Sequence, residues 1–148
     1  ADPGRLRRRT DAETEEALVD ALVRAARPLS ARRRDPSRLS FARRAEDMIR
    51  DSLADDLRIA QCAPRLGTTL RTLELGFQDL YGVSLRAYRH ALRLNAARCD
   101  LLRAEGEESV GTVAVRWGLL HLGRFAIDYR RMFGESPSET RLAARRRR

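Results

Sequence analysis

VRWGLLHLGRFAIDYRRMFGESPSE occupies residues 115–139, and a looser copy of its pattern lies about fifty residues earlier. Leu70, Leu73 and Phe77 recur as Leu122, Phe125 and Tyr129. Gly82 recurs as Gly134 and Ser84 as Ser136, and all five pairs share an offset of 52. Upstream, Ala63-x-x-x-Gly67 recurs as Ala114-x-x-x-Gly118 at an offset of 51, so the second copy is one residue longer in its turn. Self-similarity of this kind marks a duplicated supersecondary unit.

The unit has a physical logic. The small residue, Ala63 or Ala114, lets a first short helix approach the next one closely. Four residues on, glycine takes a positive φ and ends that helix. The second helix then buries a stripe at i, i+3 and i+7, which predicts Leu70, Leu73 and Phe77 inside, and likewise Leu122, Phe125 and Tyr129. This is a helix-turn-helix, whose second helix can lie in the major groove of DNA. An ordinary αα-hairpin of a bundle shares the pattern. Two copies around one long helix, followed by a basic carboxy-terminal end, favour the DNA reading.

The same stripe says which residues face outward. In the first unit these are Arg71, Glu74 and Leu75, with Gln78 further along. In the second they are Gly123, Ala126 and Ile127, with His121 and Arg124 beside them. Arg71 has the fork that matches guanine O6 and N7, Glu74 the acceptor for cytosine N4, and Ala126 or Ile127 the surface for a thymine methyl.

Around the repeat, periodicity predicts an all-α chain. Residues 11–27 read as an amphipathic helix opened by the capping-box spacing of Thr10 and Glu13 and stopped by Pro28. Residues 30–38, with Asp35-Pro36 as a breaker, read as a linker. Helices are expected at about 41–54, 58–66, 69–80, 84–104, 109–117 and 121–132, with a last one from Ser138 and a turn at 105–109. In the long 84–104 helix, Tyr88, Leu92, Ala96 and Cys99 share a face. The domain reading is therefore an amino-terminal helix and basic linker over 1–38, a DNA-binding domain over 39–144, and an arginine tail over 145–148 that reads as disordered. Within the domain, the helix-turn-helix units fall at about 56–80 and 109–132, joined by the 84–104 helix, which should set the spacing of the two reading heads.

Composition narrows the partners. The net charge is +9, and all 30 basic residues are arginine. Residues 109–148 hold nine arginines against Asp128, Glu135 and Glu139, a net of +6. Arginine suits phosphate oxygens and guanine edges, although charge alone also suits an anionic membrane or an acidic protein. No apolar run approaches the roughly 20 residues that span a bilayer. Cys62 and Cys99, without nearby histidines, have no zinc spacing and read as reduced structural thiols in a cytoplasmic protein. No paired acids with a base, metal-ligand spacing or phosphate-cradling glycine loop appears, so neither an enzyme nor a cofactor is expected.

From about Ser40 to Ala144 the chain resembles the AraC/XylS family of transcription regulators. The resemblance rests on LRTLELGFQDLYGVSLRAYRHALRLNAAR and SVGTVAVRWGLLHLGRFAIDYRRMFGESPSE. Most specific are Trp117-Gly118, Gly123-Arg124-Phe125 and Phe133-Gly134-Glu135-Ser136-Pro137. It implies two helix-turn-helix units that enter adjacent major-groove segments on one face of DNA. It places Arg71, Glu74 and Leu75 in one groove segment and His121, Gly123, Ala126 and Ile127 in the other. Four positions depart from the family pattern. Leu75 stands where arginine is common, Pro64 lies inside the first short helix, Leu119 replaces an aromatic, and Leu85 replaces a proline. They imply a first unit of weaker or altered specificity. About 37 residues precede the match, fewer than a family sensor domain needs, which suggests a fragment or a regulator that senses no ligand.

The expected function is thus sequence-specific DNA binding in transcription regulation. The alternative is a helical interaction module that binds structured RNA. Double-stranded DNA is the expected partner. RNA polymerase, and a second copy paired through the amino-terminal helix or a missing domain, are the further partners considered; no membrane partner is expected.

Overall fold

The computed structural model describes residues 35–53, 59–103 and 108–146. The expected 11–27 helix, most of the 105–109 turn and the last two arginines lie outside the described residues. Within them the chain is all-α, with seven helices and no strand: α1 (Pro36–Asp51), α2 (Ile59–Arg65), α3 (Leu70–Tyr81), α4 (Leu85–Arg103), α5 (Val110–Arg116), α6 (Leu122–Phe133) and α7 (Pro137–Arg146). Two compact units divide between His90 and Ala91, within the continuous helix α4. No helix among the described residues is long and apolar enough to cross a membrane.

Two expectations at the helix ends are corrected. Residues 36–38 belong to α1 rather than to a linker. Asp35-Pro36 starts this helix: the Asp35 carboxylate accepts the Ser37 N–H at 2.9 Å, and proline fits the first helical position, where no partner for its missing N–H is required. At the other end, Arg145 and Arg146 close α7, where two cations suit the negative end of the helix dipole.

In the first unit, α1, α2 and α3 pack on one another. Ala42, Ala45 and Ile49 of α1 and Leu73 and Phe77 of α3 are buried. The helices meet closely at Gly76, where an added Cβ would lie 2.5 Å from the Arg38 carbonyl oxygen and 3.1 Å from the Ala42 Cβ. Phe77, Tyr81 and Tyr88 form an aromatic cluster with centroids 4.8–5.4 Å apart. Both tyrosine hydroxyls donate to Glu46, that of Tyr88 at 2.5 Å, while Arg50 donates to the same carboxylate and to the Tyr88 hydroxyl. Each polar tip in the cluster is thereby satisfied, as burial requires.

In the second unit, α5, α6 and α7 pack on one another. Leu94, Ala97 and Leu101 of α4 share a core with Val113, Ala114, Leu119, Phe125 and Tyr129. Tyr129 donates to Thr140 Oγ1 at 2.9 Å, and Thr140 is within 2.7 Å of Glu135 Oε1. Arg98 pairs with that carboxylate at 3.0 Å and stands 4.6 Å over the Phe133 ring. Trp117 is held by its indole N–H, which donates to Asp100 at 2.9 Å. The stripe expected on α4 is partly displaced. Tyr88 and Leu92 are buried, but Ala96 and Cys99 are half-buried, and Leu85, Ala91, Leu94, Asn95, Ala97 and Leu101 complete the buried set. Cys62 is buried, and both cysteines are free thiols.

Two outcomes follow from this packing. Gly76→Ala gains about 1 kcal/mol in helix propensity but drives a methyl into backbone, so a net loss of about 1–3 kcal/mol in urea unfolding is expected; a raised midpoint would contradict the close approach. All three tyrosines are held above their usual pKa of 10. Burial and then the Glu46 carboxylate raise Tyr81 and Tyr88, and burial raises Tyr129 against the smaller lowering effect of its Thr140 hydrogen bond. The unfolded chain loses these protons near pH 10 while the folded one keeps them, so stability falls as pH rises beyond that point. Absorbance titration should show no tyrosinate step near pH 10 until the protein unfolds.

Candidate nucleic-acid interface

Each unit leaves its first short helix through the same turn. After α2, the Thr68 N–H donates to Ala63 O at 3.0 Å and the Gly67 N–H to Pro64 O at 3.1 Å. After α5, Leu119 donates to Ala114 O at 2.8 Å and Gly118 to Val115 O at 2.9 Å. This paired pattern is a Schellman turn, and it requires a left-handed residue at its apex. Gly67 and Gly118 both have φ of +67°. Pro64, equivalent to Val115, does not end α2, which continues to Arg65; its carbonyl still receives the glycine N–H.

The second helices then begin differently. Thr69 caps α3 by accepting the Thr72 N–H at 3.1 Å, whereas His121 precedes α6 without a side-chain cap bond. Both helices end at a left-handed glycine, Gly82 or Gly134. The likeness continues into the next helix. Ser84 Oγ accepts the Ala87 N–H at the start of α4, and Ser136 Oγ accepts the Glu139 N–H at the start of α7. Glu139 returns a bond to the Ser136 N–H at 2.6 Å, completing a capping box.

The first turn of the expected burial stripe is corrected. Leu73, Phe77, Phe125 and Tyr129 are buried, but Leu70 and Leu122 are 42% and 50% exposed. Each is the first residue of its helix, just beyond the turn. Leu120, in the longer second turn, is 67% exposed. Sequence reading did not single it out, although the extra residue in that turn was the signal available.

On α3, Arg71 and Leu75 are exposed, while Glu74 and Gln78 are half-buried. The Gln78 amide donates to Gly82 O at 3.0 Å, securing the helix end. Glu74 Oε2 accepts the Leu85 N–H at 3.3 Å, securing the start of α4. The outward face expected of Glu74 is therefore partly spent inside its own unit. Shifting by 52 explains why: Glu74 corresponds to Ala126 and Leu85 to Pro137. Proline has no N–H, so the second unit needs no acceptor there, and an alanine stands free instead.

On α6, His121, Gly123, Arg124, Ala126 and Ile127 are all exposed. Gly123 and Ile127 lie one turn apart on one face, with Ala126 adjacent. Nothing lies within 4 Å of a Cβ built on Gly123. Arg124 remains 71% exposed, though its Nε donates to Asp128 at 2.9 Å. Arg130 pairs with Glu139 at 3.1 Å. No cluster of metal-ligating side chains occurs among the described residues.

Two hairpins of this geometry, each presenting a second helix whose outer face is unpacked, define a tandem helix-turn-helix protein. Residues 62–143 match the family model described as "Helix-turn-helix domain". The chain is 32% identical to a probable AraC family transcriptional regulator from Rhodopseudomonas palustris of known crystal structure, with a TM-score of 0.67, covering 71% of this chain and 97% of that one. It is 40% identical over 105 residues to a probable thc operon regulatory protein from Rhodococcus erythropolis, covering 70% of this chain and 32% of the relative. It is 31% identical over 98 residues to a XylDLEGF operon transcriptional activator from Pseudomonas putida, covering 66% of this chain and 30% of the relative. This chain thus spans about a third of the length of those two regulators. The chain belongs to the AraC/XylS family.

The paired substitutions in the repeat can be measured. Glu74→Ala should cost about 1–2 kcal/mol through the lost helix-start acceptor. In a Leu85→Pro background the same change should cost less than about 0.5 kcal/mol, since no donor remains to be left bare. Equal losses in both backgrounds would show that Glu74 stabilises the fold by another route.

Proposed function

We propose that this chain is the DNA-binding part of a transcription regulator that reads two adjacent major-groove segments, one with α3 and one with α6. The observation that carries this reading is the repeated Schellman turn, which leaves the outer face of a second helix exposed in each unit. Its reading residues are Arg71 and Leu75 on α3, and His121, Gly123, Ala126 and Ile127 on or beside α6. Glu74 and Gln78 border the first set and Arg124 the second. Family membership, the transcription-regulator names of the relatives and the net charge of +9 support the same reading.

The proposed domain covers 39–144, with the helix-turn-helix units at about 56–80 and 109–132. A role for α4 in spacing the two heads, an action through RNA polymerase, and pairing of copies through residues 11–27 belong to the same proposal. So do a cytoplasmic location and the lack of catalysis. Arginines on turns and helix ends would supply phosphate contacts, making affinity fall steeply with salt. Groove-facing side chains would supply sequence choice.

Selection of bound sites from random duplex DNA tests the proposal. A consensus spanning two segments is expected. Equal competition by double-stranded RNA would favour the RNA-binding alternative instead, because an A-form major groove is too deep and narrow for a recognition helix. On a selected site, Arg71→Ala should relax base preference in one segment by about 1–3 kcal/mol. A uniform loss across all base variants would assign Arg71 to phosphate.

A further inference from the structure

We propose that α6 selects its DNA segment in part by packing Ile127 and Ala126 against thymine methyl groups. The proposal rests on the DNA-binding reading above and concerns how one of the two heads discriminates.

The chemistry of the exposed face carries it. Ile127 is 59% exposed, and Ala126 and Gly123 are exposed around it. An isoleucine standing in water gains by being covered with apolar surface. On the floor of the major groove, the thymine C5-methyl is the apolar group available. Gly123 has open space around its missing side chain, so the amino-terminal turn of α6 can approach the base pairs at backbone distance. The polar side chains nearby include the exposed arginines Arg124, Arg130 and Arg131. Arg124 donates through Nε to Asp128 while its side chain stays 71% exposed. Arg130, one turn further on, is paired with Glu139. His121 stands before the helix, at its cap position.

The first head differs at two of the equivalent positions and keeps an exposed apolar residue at the third, Leu75 for Ile127. Arg71 replaces Gly123, and Glu74, the counterpart of Ala126, has one oxygen on the Leu85 N–H. α3 therefore sets a guanidinium and a carboxylate beside Leu75, where α6 sets Gly123 and Ala126 beside Ile127. The two helices of one duplicated unit are suited to different base chemistries.

The test uses the full 148-residue chain and a duplex selected for tight binding. Thymines are replaced by deoxyuridine in one groove segment at a time, which removes the methyl and leaves every hydrogen-bonding edge in place. In the segment bound by α6, affinity should fall about fourfold for each methyl contacted. In the other segment, where Leu75 is 38% exposed beside Arg71 and Glu74, the fall should be smaller. Ile127→Ala should bind the thymine duplex about fourfold or more weakly and lose most of its sensitivity to uracil. Ile127 is exposed, so its truncation leaves the core untouched, and the uracil series on the unaltered protein does not depend on any variant. Equal affinity for thymine and uracil duplexes, with base discrimination otherwise intact, overturns this inference alone. So does a selected site without thymine in the α6 segment, or a uracil effect undiminished in Ile127→Ala. Binding with no discrimination among sequences overturns the DNA-reading proposal together with this one.

Discussion

The left-handed exit from each first short helix is the constraint on which the interface depends. At φ of +67° an L side chain is strained, so both Gly67 and Gly118 hold positions that other residues occupy only at a cost. At Gly118 a Cβ would also meet the end of the Arg93 side chain at 2.9 Å, a contact that a long side chain relieves by moving aside. The turn leads from one helix to the next in four residues, 66–69, or five, 117–121. It delivers the second helix with its second and third turns over the core and its first turn clear of it. That geometry accounts for the burial of Leu73, Phe77, Phe125 and Tyr129 and for the exposure of Leu70 and Leu122.

Much of the fold was legible because it lies in local periodicity and in the spacing of small residues. The offsets of 51 and 52 mark the same turns that the hydrogen bonds now show. What was misread depended on what a residue touches rather than on where it falls in a period. Leu70 and Leu122 fit the stripe numerically but stay 42% and 50% exposed at the first position of their helices. Asp35-Pro36 reads as a breaker by composition, and only the carboxylate bond to the Ser37 N–H shows that it opens a helix. Glu74 looks like an outward acid until the bare N–H of Leu85 is found 11 residues away in sequence. The close approach at Gly76 has no turn or positive φ to announce it, since a helical glycine is explained only by its neighbour.

The two copies have diverged through compensated pairs. Glu74 with Leu85 corresponds to Ala126 with Pro137: one unit supplies an acceptor for a backbone donor, and the other removes the donor. Tyr81 corresponds to Phe133 in the same way. Tyr81 has a hydroxyl that must find an acceptor, and it finds Glu46. Phe133 has no hydroxyl, and its ring is covered by the Arg98 guanidinium, which binds the Glu135 carboxylate as well. In each case a polar group and its partner appear together or are absent together.

That coupling bears on which residues of a reading head are free to specify DNA. An outward position is available for base contact only when its side chain is not already needed by the fold. In the first unit Glu74 and Gln78 meet backbone demands at a helix start and a helix end, so changing either perturbs the scaffold before it alters recognition. In the second unit Pro137 removes one of those demands, and Ala126 carries no structural duty that its exposed methyl could fail. Recognition in α6 is therefore less entangled with stability than recognition in α3. A single backbone N–H, present at Leu85 and absent at Pro137, accounts for the part of that difference that lies between Glu74 and Ala126.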